Sequence, residues 1–169
     1  MDGVFAGPAG APAQPQSERA LALAYGALGR RERTVAELRA YLERKRVERA
    51  AIDVAVAELT RAGLLDDARY ARRFAADKRE LEQWGGERIA RDLRRRGVAA
   101  DLIASAVEVE AGTTELDTAL QVLGRRLPSA PGDDRERDRA WRLLVRRGFA
   151  PEVAYEAVRA HERRDADAA

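Results

Sequence analysis

The stretch ERIARDLRRRGVAADLIASAV, residues 87–107, decides the fold because its apolar outline occurs three times in the chain. A shift of 51 residues in either direction places Leu93 on Leu42 and on Leu144. The other matched apolar positions are Leu38, Val47, Ile52 and Val56 in the first copy, and Ala140, Phe149, Ala154 and Val158 in the third. The polar positions between them vary freely, which is typical of a repeated packing unit.

The apolar residues within each copy have helical spacing. In the first copy Leu38, Tyr41 and Leu42 fall at i, i+3 and i+4, and no stretch alternates with the period of a strand. Thr34 and Glu37 form a capping-box pattern, and Gly63 is placed to end a helix. The sequence therefore predicts an all-α protein of three tandem three-helix repeats, helix-turn-helix-like, in an elongated array.

Prolines, glycines and a capping serine set the expected boundaries of the helices and repeats. Residues 1–16 are rich in Ala, Gly, Pro and Gln and predict a disordered N-terminal arm, after which Ser17 caps a first helix that carries Leu21, Leu23, Tyr25 and Leu28. Gly97 and Gly148 mark turns in the later copies, and Pro151 suits a first helical turn. The predicted repeats are 17–65, 66–111 and 112–161, followed by a flexible tail over 162–169.

Two helix starts are marked by capping residues. Asp66 or Asp67 opens the second repeat, and Thr113 or Thr114 opens the third. The adjacent carboxylates of Asp66 and Asp67 also suit a metal ion, but capping and the helix dipole explain them without one. We expect no metal site there.

The residues that catalysis or membrane insertion would need are mostly missing from the sequence. The chain has no Cys and one His, His161, which is expected near a frayed C-terminus. No glycine-rich nucleotide loop or nucleophile elbow is present, so we expect neither an enzyme nor a cofactor or metal. No start resembling a signal peptide and no membrane-length apolar stretch occur, which favours a cytoplasmic protein.

Runs of basic residues recur at the end of the second helix of each repeat. They are Arg44-Lys45-Arg46, Arg94-Arg95-Arg96 and Arg146-Arg147. The helix dipole favours cations at these ends, and a solvated face in an Arg-rich chain explains part of the pattern. Arginines recurring along a repeat array also suit a phosphate backbone or an acidic protein surface. The predicted binding residues are Arg91, Arg94, Arg95, Arg96, Arg139, Arg142, Arg146 and Arg147.

A helix, a Gly-containing turn and a further helix also describe a DNA-binding helix-turn-helix. A recognition helix brings basic or amide side chains to the major groove. The third helix of the second repeat instead carries Asp101, Glu108 and Glu110 and no Arg or Lys. A helix-turn-helix transcriptional regulator is therefore the weaker alternative.

Three segments together resemble a known family. They are the run from Gly63 to Phe74 (GLLDDARYARRF), the preceding RTVAEL at residues 33–38, and the following RDLRRRGV at residues 91–98. In this order, and with Arg146-Arg147-Gly148-Phe149 near the end, they resemble the bacterial regulatory protein RecX family over about Ser17 to Ala160. Arg46 departs from the Gly usual in the family at the first turn, and Trp84-Gly85-Gly86 is a local variant.

The resemblance implies a modulator of the RecA recombinase. Family members lie on the RecA filament on single-stranded DNA and inhibit strand exchange, ATP hydrolysis and the co-protease activity that triggers the SOS response. The resemblance thus implies a regulator of DNA repair with no catalytic residues, whose partners are the RecA filament and single-stranded DNA, with weak binding to duplex DNA left open. We expect a monomer with no membrane association.

Overall fold

The computed structural model describes residues 13–108, 114–127 and 129–168, and this part of the chain is helical with no strand. The all-α prediction is therefore confirmed. The helices are α1 (Ala13–Leu28), α2 (Val35–Arg44), α3 (Arg49–Arg61), α4 (Asp67–Glu82), α5 (Gly86–Arg95), α6 (Ala100–Val107), α7 (Glu115–Arg126), α8 (Asp134–Arg147) and α9 (Pro151–Ala168).

The first compact unit, Met1–Asp67, contains α1, α2 and α3 around one core. Helix α1 contributes small side chains to it, since Ala20, Ala24 and Ala27 are buried. The larger Leu21, Leu23 and Leu28 are only partly buried at its edge, and Tyr25 is exposed. The Ala face of α1 is therefore the one that enters the core.

Helix α1 also begins earlier than predicted. It starts at Ala13, so Ser17 lies inside the helix and does not cap it. The predicted disordered arm lies outside the described residues for positions 1–12, whereas residues 13–16 belong to α1.

The second compact unit, Ala68–Ala169, contains two cores. One is formed by α4, α5 and α6, with Ala71, Ile89, Leu93 and Ile103 buried. The other is formed by α7, α8 and α9 and is centred on Leu123, Leu144 and Phe149. The repeat boundaries stay predictions, although each core is built from three consecutive helices.

The same helix-ending turn occurs after α2, α5 and α8. The amide N–H groups of Val47, Val98 and Phe149 donate to the carbonyls of Leu42, Leu93 and Leu144, each over 3.2 Å. This is the Schellman arrangement, in which an apolar residue past the helix packs back on the last turn. All six of these side chains are buried, so the sequence repeat is a repeated helix end.

The turn requires a left-handed residue in each repeat. Gly97 and Gly148 have φ values of 78° and 86°, and Arg46 adopts the same conformation with φ 56°. The family's usual glycine is therefore missing in the first repeat without a change of turn geometry, at the cost of backbone strain at Arg46.

Helix caps agree with the sequence in part. The Thr34 hydroxyl accepts from the Glu37 amide, and Thr114 forms a capping box with Asp117, whose pKa is lowered by the hydrogen bonds from Thr114. Helix α4 begins at Asp67, as the sequence predicts for the start of the second repeat, and the Asp67 carboxylate also accepts the N–H of Val35 at the start of α2, at 2.8 Å. Burial raises the pKa of Asp67 despite that hydrogen bond.

The end of the described chain is more ordered in secondary structure than expected. Helix α9 continues to Ala168, past the tail boundary predicted at 162. His161 is part-buried, and its Nε2 lies 2.9 Å from the Leu127 carbonyl oxygen. His161 therefore contacts the chain segment after α7 and does not lie in a frayed end.

Leu93→Ala tests the repeated core position. Leu93 is fully buried, so its truncation should lower the free energy of unfolding by about 2–5 kcal/mol. Urea denaturation measures this difference. A loss below about 0.5 kcal/mol would contradict the repeat register.

Arg46→Gly and Gly97→Ala test the shared turn in opposite directions. Relief of left-handed strain should make Arg46→Gly more stable by up to about 1 kcal/mol, whereas Gly97→Ala should lose about 1–2 kcal/mol. Thermal and urea unfolding of the two variants provide the comparison. Equal effects of the same sign would rule out the strain at Arg46.

Candidate functional site

The start of α5 is capped by residues from far along the chain. Its N-cap, Gly85, has no side chain to accept a hydrogen bond, and the Gly85 and Glu87 amides donate to the carbonyls of Arg147 and Gly148, at 2.9 and 3.1 Å. The Gly86 amide donates to Glu115 Oε1 at 2.9 Å. Residues that flank α7 and α8 thus satisfy amides that a helix start normally leaves unpaired.

Two glycines make this approach possible. A Cβ on Gly85 would lie 2.3 Å from the carbonyl carbon and oxygen of Gly148, and a Cβ on Gly148 would lie 2.3 Å from the Cβ of Arg88. The two backbones therefore touch where any side chain would separate them. Gly148 is doubly constrained because its φ is also positive.

The contact leaves a basic groove beside it. The groove has a volume of about 530 Å³ and is lined by Trp84, Arg88, Arg91, Asp92, Arg95 and Arg146. The Arg88 guanidinium lies 3.9 Å from the centroid of the Trp84 ring, and Lys78 lies 4.8 Å from the same centroid. Two cations therefore already stack on the one aromatic side chain of the groove.

Arginines in the groove differ in their pairing. Arg95 forms an ion pair with Asp92, the only carboxylate that lines it. Within the described part of the chain, Arg88, Arg91 and Arg146 form no ion pair. This groove thus holds three uncompensated positive charges, a surface that attracts anions.

Arg147 does not line the groove and makes a structural contact. Its Nη1 donates to the Glu82 carbonyl at 3.1 Å, while its buried Nε has no hydrogen-bond partner. Burial lowers the pKa of Arg147, and the neighbouring charges of Arg126 and Arg88 lower it further. Arg147 is therefore a partly buried cation near the charges of Arg88 and Arg126.

The structure brings together only part of the predicted binding set. Arg91, Arg95 and Arg146 line the groove. Arg94, which precedes Arg95 in the sequence, is exposed and does not line the groove. The guanidinium of Arg96 lies 5.1 Å from the centroid of the Phe74 ring. The binding role of these residues stays a prediction.

Two predicted residues lie elsewhere. Arg139 lines a separate cavity of about 140 Å³ with Leu127 and Pro131. Arg142 forms an ion pair with Asp138 at 2.9 Å. Of the binding residues predicted in the third repeat, only Arg146 therefore lines the groove.

Arg88 is the groove residue that sequence reasoning missed. It precedes Arg91 by three positions and Arg95 by seven, so all three share one face of α5. This helical spacing could have identified Arg88 from the sequence, whereas the run of arginines at the end of the helix pointed to Arg94 and Arg96.

Other classes of site receive no support from the described residues. No group of three or more His, Cys, Asp or Glu side chains there could hold a metal ion. None of the helices in that part of the chain is long and apolar enough to cross a membrane.

The fold and the groove define a protein of tandem three-helix domains with a cationic groove in the second unit. Family models match two of these domains: the first three-helix domain of RecX at residues 20–59, and the second three-helix domain of RecX at residues 66–107. The chain belongs to the RecX family.

Individual relatives agree with this assignment. The regulatory protein RecX of Halorhodospira halophila is 35% identical over 158 residues, covering 93% of this chain and 94% of the relative. That of Deinococcus radiodurans is 35% identical over 146 residues, covering 86% and 70%. The crystal structure of RecX from Lactobacillus salivarius superimposes with a TM-score of 0.79 at 14% identity, covering 89% of this chain and 99% of that one.

Gly85→Ala tests the backbone contact that shapes the groove. The added methyl group would overlap the Gly148 carbonyl, so we expect a loss of about 1–3 kcal/mol in the free energy of unfolding. Gly124→Ala is the matched control, because a Cβ there meets nothing within 4 Å and should stabilise α7 by about 0.5–1 kcal/mol. Calorimetry of both variants decides; a harmless Gly85→Ala would exclude the close approach.

Proposed function

We propose that this protein regulates the RecA recombinase filament on single-stranded DNA, inhibiting its ATPase, strand-exchange and co-protease activities and so regulating DNA repair and the SOS response. Membership of the RecX family is the observation that carries the proposal. The relatives are named regulatory proteins, which favours action by binding and not by catalysis. We place this action in the cytoplasm, with the protein as a monomer.

The basic groove supports the proposal because a nucleoprotein filament is an anionic partner. Arg88, Arg91 and Arg146 come together from α5 and α8, and the one carboxylate that lines the groove, Asp92, pairs with Arg95. Guanidinium groups in this state form charge-assisted hydrogen bonds with phosphate or carboxylate oxygens. The groove is therefore the surface that we assign to the filament.

The third helix of the second three-helix domain does not support sequence-specific duplex recognition. Helix α6 exposes Asp101 and contains no Arg or Lys. Phosphates flanking a major groove would repel this face, so a transcriptional regulator is not the function that we propose.

The test is RecA-catalysed ATP hydrolysis on single-stranded DNA at rising concentrations of this protein. The wild-type chain should lower the rate at substoichiometric to stoichiometric ratios. Paired charge reversal, Arg91→Glu with Arg146→Glu, should raise the half-inhibitory concentration and flatten the salt dependence of binding. Each lost phosphate contact removes about 0.7 from the log–log slope on single strands.

Arg61→Glu with Arg163→Glu is the matched control, because it makes the same change in net charge at exposed residues outside the groove. It should inhibit nearly as well as wild type. Equal losses in both pairs would show that the attraction is diffuse. A folded wild-type protein without effect on ATP hydrolysis or strand exchange would overturn the proposed function.

A further inference from the structure

A second groove lies between α8 and α9 and has a different chemistry. Its volume is about 480 Å³, and Trp141, Tyr155 and Val158 provide its aromatic and aliphatic lining. Tyr155 is 63% exposed, second to Leu81 among the exposed large apolar side chains of the described residues. The Trp141 Nε1 donates to the Pro151 carbonyl at 3.2 Å, which fixes one edge of that ring.

The repeat shows that the fold does not need these aromatic residues. The positions of Trp141 and Tyr155 correspond to Ala90 and Ala104 in the second copy. In the first copy they correspond to Arg39 and Asp53, which form an ion pair at 2.5 Å. One packing unit thus accepts two aromatic rings, two methyl groups or a salt bridge at this surface. Trp141 packs against the core of the third copy, but the repeated unit itself does not require an aromatic residue at either position.

Charges around the groove are already paired. Arg137 pairs with Asp134 and with Glu162, and Arg159 pairs with Glu162 at 3.1 Å. Asp134 and Asp138 line the groove together with Arg137 and Arg159, so its lining is neutral overall. The lining of this groove therefore has no unpaired cation to offer a phosphate, in contrast to the groove around Arg91.

Exposed Trp and Tyr side chains beside a pocket are the residues that most often anchor protein interfaces. We infer that the Trp141–Tyr155 groove receives an apolar side chain of a protein partner, which we identify, on the proposed function, as a protomer of the recombinase filament. The two grooves then bind different groups of the partner: the basic groove contacts anionic groups, and the aromatic groove contacts an apolar side chain.

The test transplants the pair that the first copy carries. Trp141→Arg with Tyr155→Asp leaves the net charge unchanged and copies Arg39 and Asp53, a combination that this packing unit accepts. Tyr155→Ala is a second variant that removes only an exposed ring and matches Ala104. Tyr25→Ala is the control, because Tyr25 is 48% exposed on α1 in the first unit.

The dissociation constant of each variant is measured on the RecA filament and, separately, on a free oligothymidylate. Both groove variants should weaken filament binding, the double variant by about tenfold or more, while the oligothymidylate affinity and its salt dependence stay at wild-type values. The Tyr25→Ala control should match wild type in both assays. Circular dichroism confirms that each variant is folded.

Three results would overturn the inference. Filament binding by the double variant at wild-type strength would remove the groove from the interface, even if wild type inhibits the recombinase. An equal loss of oligothymidylate binding would assign the groove to nucleic acid. Sedimentation of wild type as a dimer that the double variant dissociates would assign it to a second copy of this chain. Wild-type protein that fails to bind the filament would instead overturn the proposed function, and the recombinase as partner with it.

Discussion

Backbone hydrogen bonds between the start of α5 and the turn after α8 are the constraint on which the second unit depends. The Gly85 and Glu87 amides reach the carbonyls of Arg147 and Gly148 only because neither glycine carries a side chain. The carbonyl end of one helix thereby meets the amide end of another, so their dipoles attract. This contact joins two hydrophobic cores that otherwise pack separately.

The basic groove is a consequence of that contact. Arg88 and Arg91 follow the capped start of α5, and Arg146 precedes the turn that caps it. Bringing these two helix ends together places cations from distant parts of the sequence around one cavity. The like charges are tolerated because most of their guanidinium groups remain in water, whereas Arg147, which is partly buried, has a lowered pKa.

Local features of the fold were predictable from the sequence because they depend on neighbouring residues. Leu93, Gly97 and Val98 form one helix end within six positions, and the same spacing recurs twice. The burial of α1 through Ala20, Ala24 and Ala27 was not predictable from hydrophobicity, since close helix packing favours small residues over the larger Leu21 and Tyr25. Arg46 shows that the turn can form even without its glycine.

The groove itself was predictable only in part. The backbone contact between Gly85 and Gly148 joins residues that are far apart in the sequence, so no local pattern reveals it. Pairing within helices, however, could have refined the arginine set: Asp138 precedes Arg142 by four positions and Asp92 precedes Arg95 by three, and both pairs form. Arg146 has Arg142 at the corresponding position and stays unpaired.

The unpaired state separates a cation that can bind a partner from one that stabilises its own helix. Arg142 would have to give up Asp138 before it could bind an external anion, so part of any new interaction would be offset. Arg91 and Arg146 have no such competitor among the described residues. The two grooves differ in the same respect, because the cations beside Trp141 and Tyr155 are already in ion pairs. Apolar contact is therefore the main source of affinity in the groove around Trp141.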